Sequence, residues 1–106
     1  MNARYIHDGK AIDFTSETAV PAGTIVVAGD LVGITKLDLE ANRLGALHVV
    51  GVFDVAKGAG EIALGEKVYW DETAQQAVTT AGTNKALGIA VLPAEADATV
   101  VRVRLG

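Results

Sequence analysis

Residues 65–72 read GEKVYWDE and hold the chain's one tryptophan, one of its two tyrosines and four charged side chains. Asp71 and Glu72 beside Trp70 are the ingredients of a general acid–base pair, provided that a cleft desolvates one carboxyl. In a strand, however, adjacent residues point to opposite faces, and at a turn both carboxyls are wet. A phosphate loop would need G-x-x-x-x-G-K followed by Ser or Thr. Gly60 and Gly65 give the gap, but Glu66 stands where the lysine belongs and Lys67 comes one position late. The KVYW that follows reads as a strand, where a phosphate loop must open a helix. Ser16, the only serine, sits in a polar segment beside Glu17 and outside any G-x-S-x-G motif. His48 lies in an apolar run, which suits a core or strand-face histidine. His7 and Asp8 offer at most a weak surface metal site. With two histidines and no cysteine, the ligands for a zinc or copper centre are lacking. Arg102 and Arg104 lie two apart in an apolar run and share one solvated strand face.

The elements that would carry these residues are short apolar runs punctuated by glycine. TIVVAGDLVGI (24–34) is two β-rich pieces around Gly29-Asp30. HVVGVFDV (48–55) reads as a strand buried on both faces, or as one bent at Gly51. TVVRVRL (99–105) alternates, with Val101, Val103 and Leu105 on one face and the arginines on the other. In GEKVYWDE, Val68 and Trp70 share a face, and Lys67 and Tyr69 take the other. DETAQQ then turns the chain and AVTT runs back, so the stretch predicts a β-hairpin. Asp8-Gly9 between RYIH and AIDF predicts a second, tight hairpin near the start. Residues 37–48 have helical spacing at Leu37, Ala41, Leu44 and His48, but Gly45 and the missing polar face argue against more than one helical turn. GTIVVAGDLVGITKL (23–37) is echoed by GEIALGEKV (60–68) with LGIAVL (87–92). That echo places Gly29-Asp30 and Gly65-Glu66 in equivalent turns. The expectation is an all-β fold: one small single-domain β-barrel or sandwich over 1–106, with short hairpins, little helix and an internal pseudo-repeat, residues 1–18 forming a mobile arm. Trp70 and Phe53 are the expected anchors of the core or of an interface.

The totals narrow the function classes. The 106 residues make one domain, and the net charge of −4 leaves no basic footprint for nucleic acid. No apolar run approaches the ~20 residues of a membrane-spanning helix, and MNARYIHDGK lacks the apolar core of a signal peptide. These features predict a soluble protein made in a cytosol, with no membrane or nucleic-acid partner. Half of the residues are hydrophobic although only 5% are aromatic. So much Val, Ala, Leu and Ile in a small acidic domain predicts some apolar surface at a subunit or partner interface.

The run GDLVGITKLDLEANRLGALHVVGVFDVAKGAGEIALGEKVYWDE, with ALGIAV and the final VVRVRL, resembles the capsid cement, or head decoration, proteins of tailed bacteriophages. The likeness starts at RYIHDGKAIDFT and spans nearly the whole chain. Its most specific parts are the hairpin at 65–71 and VGVFDVAKG at 51–58, which are strand-and-turn signatures. Members of this family are sometimes labelled predicted phage recombinases. The residues give that label no support, for there is no ATP loop, no basic surface and too little chain for a strand-exchange ATPase.

The resemblance implies a non-enzymatic structural virion protein, made in the bacterial host cytoplasm and lying on the capsid exterior. Its implied partners are the major capsid protein and itself, as a trimer, with no cofactor. By analogy with related decoration proteins, Arg4, Tyr5 and Ile6 in the arm would touch the shell. The competing classes are a phage tail or accessory module, or a host-surface binder on the virion, which position on the particle distinguishes. A DNA-processing factor is the third class, and a nucleotide or DNA titration distinguishes it.

Overall fold

A computed structural model describes residues 2–106. Strands form where β-branched and other apolar residues cluster between glycine-bearing turns. In chain order they are β1 Ala11–Thr15, β2 Ile25–Ala28, β3 Leu31–Ile34, β4 Leu44–His48, β5 Gly51–Ala56, β6 Lys67–Asp71, β7 Gln76–Val78, β8 Lys85–Ala90 and β9 Val100–Leu105. No helix occurs among the described residues. The strands make two antiparallel sheets, ordered β1-β4-β3-β2 and β5-β9-β8-β6-β7. β3 packs on β8 between the sheets. A lone bridge from Lys57 to Ala77 draws the ends of the second sheet together without closing it. Of the two architectures expected, the sandwich is therefore the one formed.

β9 shows how the pattern works. Val101, Val103 and Leu105 are buried while Arg102 and Arg104 stay exposed. The buried side chains join Val55, Val68, Trp70 and Leu87 from the same sheet and Val32 and Ile34 from β3 in one core. Each fully buried aliphatic side chain contributes about 1.5–3 kcal/mol. Residues 49 and 50 carry the chain from the first sheet to the second. HVVGVFDV is thus bent rather than one strand, and Gly51 takes φ 135° at the bend, a conformation that a side chain resists.

The early hairpin fails to form. RYIH makes no strand, and the Asp8-Gly9 hairpin does not form: residues 2–9 have no regular structure. β1 pairs instead with β4, Phe14 opposite Gly45, because that partner brings a sheet and a core with it. Residues 37–48 form no helix, in line with Gly45 and the missing polar face, and Leu44–His48 make β4 between β1 and β3. The expected arm over 1–18 contains β1, and Met1 lies outside the described residues.

The internal repeat is a repeat of topology. β1 to β4 are ordered β1-β4-β3-β2, and β5, β6, β8 and β9 are ordered β5-β9-β8-β6 in the same sense. Its hydrogen bonds recur position by position. Val20 and Leu39 exchange a bond pair at 2.9 and 2.7 Å, as Ile62 and Ala94 do at 2.9 and 2.8 Å. The Gly23 N–H donates to the Thr35 carbonyl, as Gly65 does to Ala90. Val26 pairs with Gly33, as Val68 does with Gly88. The second unit differs by β7, inserted where the first has a two-residue turn.

This register corrects one equivalence expected from sequence. Gly29-Asp30 is a two-residue hairpin loop with positive φ at its first residue alone, the II′ pattern. Gly65 is instead the third residue of a four-residue turn, closed by the Glu66 N–H on the Ala63 carbonyl at 3.1 Å. Its counterpart is Gly23, also at positive φ and also one residue before the Gly65-type turn ends. Likeness between dipeptides misplaced the glycines; the ladder bonds fix them.

Candidate functional site

The residues with chemical potential are dispersed, and most hold turns. At the end of β6, the Asp71 Oδ1 accepts the Ala74 N–H at 3.0 Å, which caps the turn into β7. The Glu72 carbonyl accepts from the Gln75 side chain in the same turn. The Glu66 Oε1 accepts the Ala63 N–H at 2.9 Å. Asp30 forms an ion pair with Lys85 at 2.8 Å, which ties the first unit's hairpin to the start of β8. That bond and the lysine's charge lower the carboxyl's pKa. The Ser16 Oγ accepts the Thr18 N–H, and the His7 Nδ1 accepts the Gly9 N–H. His48 ends β4, half-buried, opposite Ala11 and Ile34.

The opening stretch builds as a hairpin. Val68 and Trp70 face the core at 1% and 5% exposure, while Lys67 is exposed. The Trp70 indole N–H is buried and meets no acceptor among the described residues. Phe53, in β5, is half-buried against the same core, and the Lys36 Nζ lies 6.0 Å from its ring centre.

Sequence reasoning missed Lys57. It follows β5 and is buried, and its ammonium donates to the carbonyls of Gly58, Ala96 and Ala98 at 2.9, 3.2 and 3.5 Å. This charge is satisfied by backbone alone, and it pins residues 96–98 to the end of β5. A lysine following VGVFDVA in sequence gives no sign of that burial.

The surface is where the molecule has capacity to act. A core of buried apolar side chains forms, yet large apolar side chains remain outside. In the arm, Tyr5 and Ile6 are 75% and 68% exposed. Arg4 beside them is exposed, and the Tyr5 hydroxyl donates to Asp8. On the body, Leu37, Leu44, Val52, Leu64, Leu92 and Val100 are exposed. Leu37 and Leu44 line one shallow cleft, and Leu92 and Val100 line another. A lost signal could have found these clefts together: GITKLDLEAN (33–42) and GIAVLPAEAD (88–97) share Gly, Ile, Leu, Glu and Ala at the same spacing.

The β body thus leaves large apolar side chains exposed on its surface. A family model described as phage cement protein matches residues 6–105. No curated protein and no solved structure matches the chain.

Proposed function

The chain belongs to the phage cement protein family, and from that premise we propose that it binds the outer face of a tailed-phage head, as a homo-oligomer, and stabilises the shell without catalysing a reaction. The observation that carries this reading is the family match over a β body on which many large apolar side chains stay outside the core. Surface of that kind is unfavourable in water and is covered in assemblies. Many copies on one shell turn modest contacts into a large total. The turn-holding roles of Asp30, Glu66 and Asp71 also favour a structural part. Arg4, Tyr5 and Ile6 are proposed to make one of the shell contacts, since the arm presents a base and two apolar side chains clear of any sheet. Synthesis in the bacterial host cytoplasm and a trimeric mass complete the reading.

Mass spectrometry of purified virions tests it. Copy number comparable to the major shell protein is the expected result. A few copies per particle would favour a tail or accessory part, and absence from virions would overturn the head role. For the arm, deletion of residues 2–9 should weaken shell binding about tenfold or more, equivalent to about 1.4 kcal/mol. The deletion removes no core side chain, so the melting temperature should hold. Unchanged shell affinity would release Arg4, Tyr5 and Ile6 from the contact.

A further inference from the structure

The two repeats place the same kind of apolar cleft on the surface twice. In the first, Leu37 and Leu44 are 76% and 72% exposed on either side of a turn closed by the Arg43 N–H on the Glu40 carbonyl. In the second, Leu92 and Val100 are 50% and 46% exposed around a turn closed by the Ala98 N–H on the Glu95 carbonyl. Leu37 corresponds to Leu92, Glu40 to Glu95 and Leu44 to Val100 in the topological repeat. Buried Leu39 lines the first cleft and buried Ala94 the second, again at matching positions. The two units have otherwise drifted: the second has gained β7, and Arg43 is matched by Ala98. None of the four exposed side chains belongs to the core. The fold does not need them, and yet the apolar pair stands at the same place in both units.

The charges around the clefts say what they accept. Asp38 and Glu40 stand at the first, Glu95 and Asp97 at the second. The bases nearby are already engaged: Arg43 pairs with Glu40 at 3.1 Å and Arg102 with Asp54 at 2.9 Å. With Glu40 taken by Arg43, Asp38, whose Oδ1 accepts the Ala22 N–H at 2.8 Å, is the acid left at the first cleft, and Glu95 and Asp97 are those at the second, so pressing one cleft on another would oppose like charges. An occupant should be apolar and flanked by lysine or arginine. Two similar clefts on one chain call for two copies of one occupant, and a shell of identical subunits offers that arrangement.

Resting on the cement reading above, we propose that these are twin docking clefts: each takes an apolar side chain flanked by basic residues, presented by one of two neighbouring shell subunits. One chain then bridges two subunits. The second contact is made at the high effective concentration set by the first, so two weak sites hold firmly together.

The test is a binding titration on assembled shells that lack the protein. It compares the wild type, Leu37→Asn with Leu44→Asn, Leu92→Asn with Val100→Asn, and all four changes together. Each paired variant should bind about tenfold or more weakly, and the fourfold variant should lose detectable binding. Added salt should weaken the wild type's binding. Melting temperature and oligomer mass should be unchanged, because the side chains are exposed. Wild-type affinity in both paired variants would overturn the inference and leave the cement reading standing. An effect from only one cleft would overturn the bridging. Loss of oligomer mass in the variants would assign the clefts to self-association and overturn the shell contact. A wild type that does not bind shells at all would instead refute the cement reading, and this inference with it.

Discussion

Trp70 and Lys57 are two buried residues that stabilise by different physics. Trp70 is 5% exposed and belongs to the core, so Trp70→Ala should destabilise by about 3–5 kcal/mol through lost burial and the cavity left behind. Chemical denaturation of the variant measures it, and an unchanged midpoint would place the ring outside the cooperative core. Lys57 buries its stem and also satisfies three carbonyls with its ammonium. Lys57→Met keeps much of the stem but leaves those acceptors without their donor. A loss of about 1–3 kcal/mol is expected. Hydrogen exchange should show faster opening around residues 96–98 than elsewhere in β9 and its approach. Uniform opening would mean that the lysine does not pin that segment.

Within the strands, close approach and cross-strand pairing set the limits. Gly88 sits between β6 and β9, and a Cβ there would fall 2.1 Å from the Arg104 carbonyl oxygen. Backbone cannot yield as a side chain can. At its counterpart Gly33 the nearest atoms are those of the Leu47 side chain, Cγ at 2.5 Å. Gly88→Ala should therefore destabilise more than Gly33→Ala, beyond the usual 1–3 kcal/mol or so of overpacking. Paired thermal melts decide the order, and equal losses would contradict the difference between backbone and side-chain neighbours.

Across β5 and β9, the Arg102 Nε and Nη2 donate to Asp54 at 2.9 and 3.2 Å. Those bonds, with the guanidinium's charge, hold the Asp54 carboxyl below the usual carboxylate range against a smaller opposing effect of desolvation. A depressed pKa in the folded state stabilises above the unfolded value, about 3.9, and that contribution is lost as pH falls through the folded value. The difference in melting temperature between wild type and Asp54→Asn should be flat near neutrality and shrink only below about pH 4. The pair is exposed, so the difference is small. A gap that instead widened in acid would reverse the sign.

The whole molecule is two copies of one four-strand topology joined through residues 49 and 50. The chain's composition announced that there was more apolar side chain than a small core would take, and the exposed leucines and valines are that excess. Alternation in TVVRVRL made β9 legible, and the glycine-bounded runs gave most other strands. The hairpin expected at Asp8-Gly9 was not legible, because a turn dipeptide permits a hairpin without supplying a core for it. β1 found its partner in β4, far along the chain, where pairing also buries Ile12 and Phe14 in part. The absence of helix over 37–48 has the same origin: spacing permits a face, and the neighbouring strands decide whether it is used.

What the sequence determined by itself was whatever depends on nearest neighbours along the chain. The β class, the hairpin turns at Gly29-Asp30 and 71–76, the alternating faces of β9 and the family likeness all follow from local composition and order. The tertiary structure alone decided the register of the repeat, the burial of Lys57 and the matching of Leu44 with Val100 beside the sequence-matched Leu37 and Leu92. Each of these depends on which distant segments share a ladder. A one-residue shift of a strand exchanges its two faces, and only the packed core selects among such shifts.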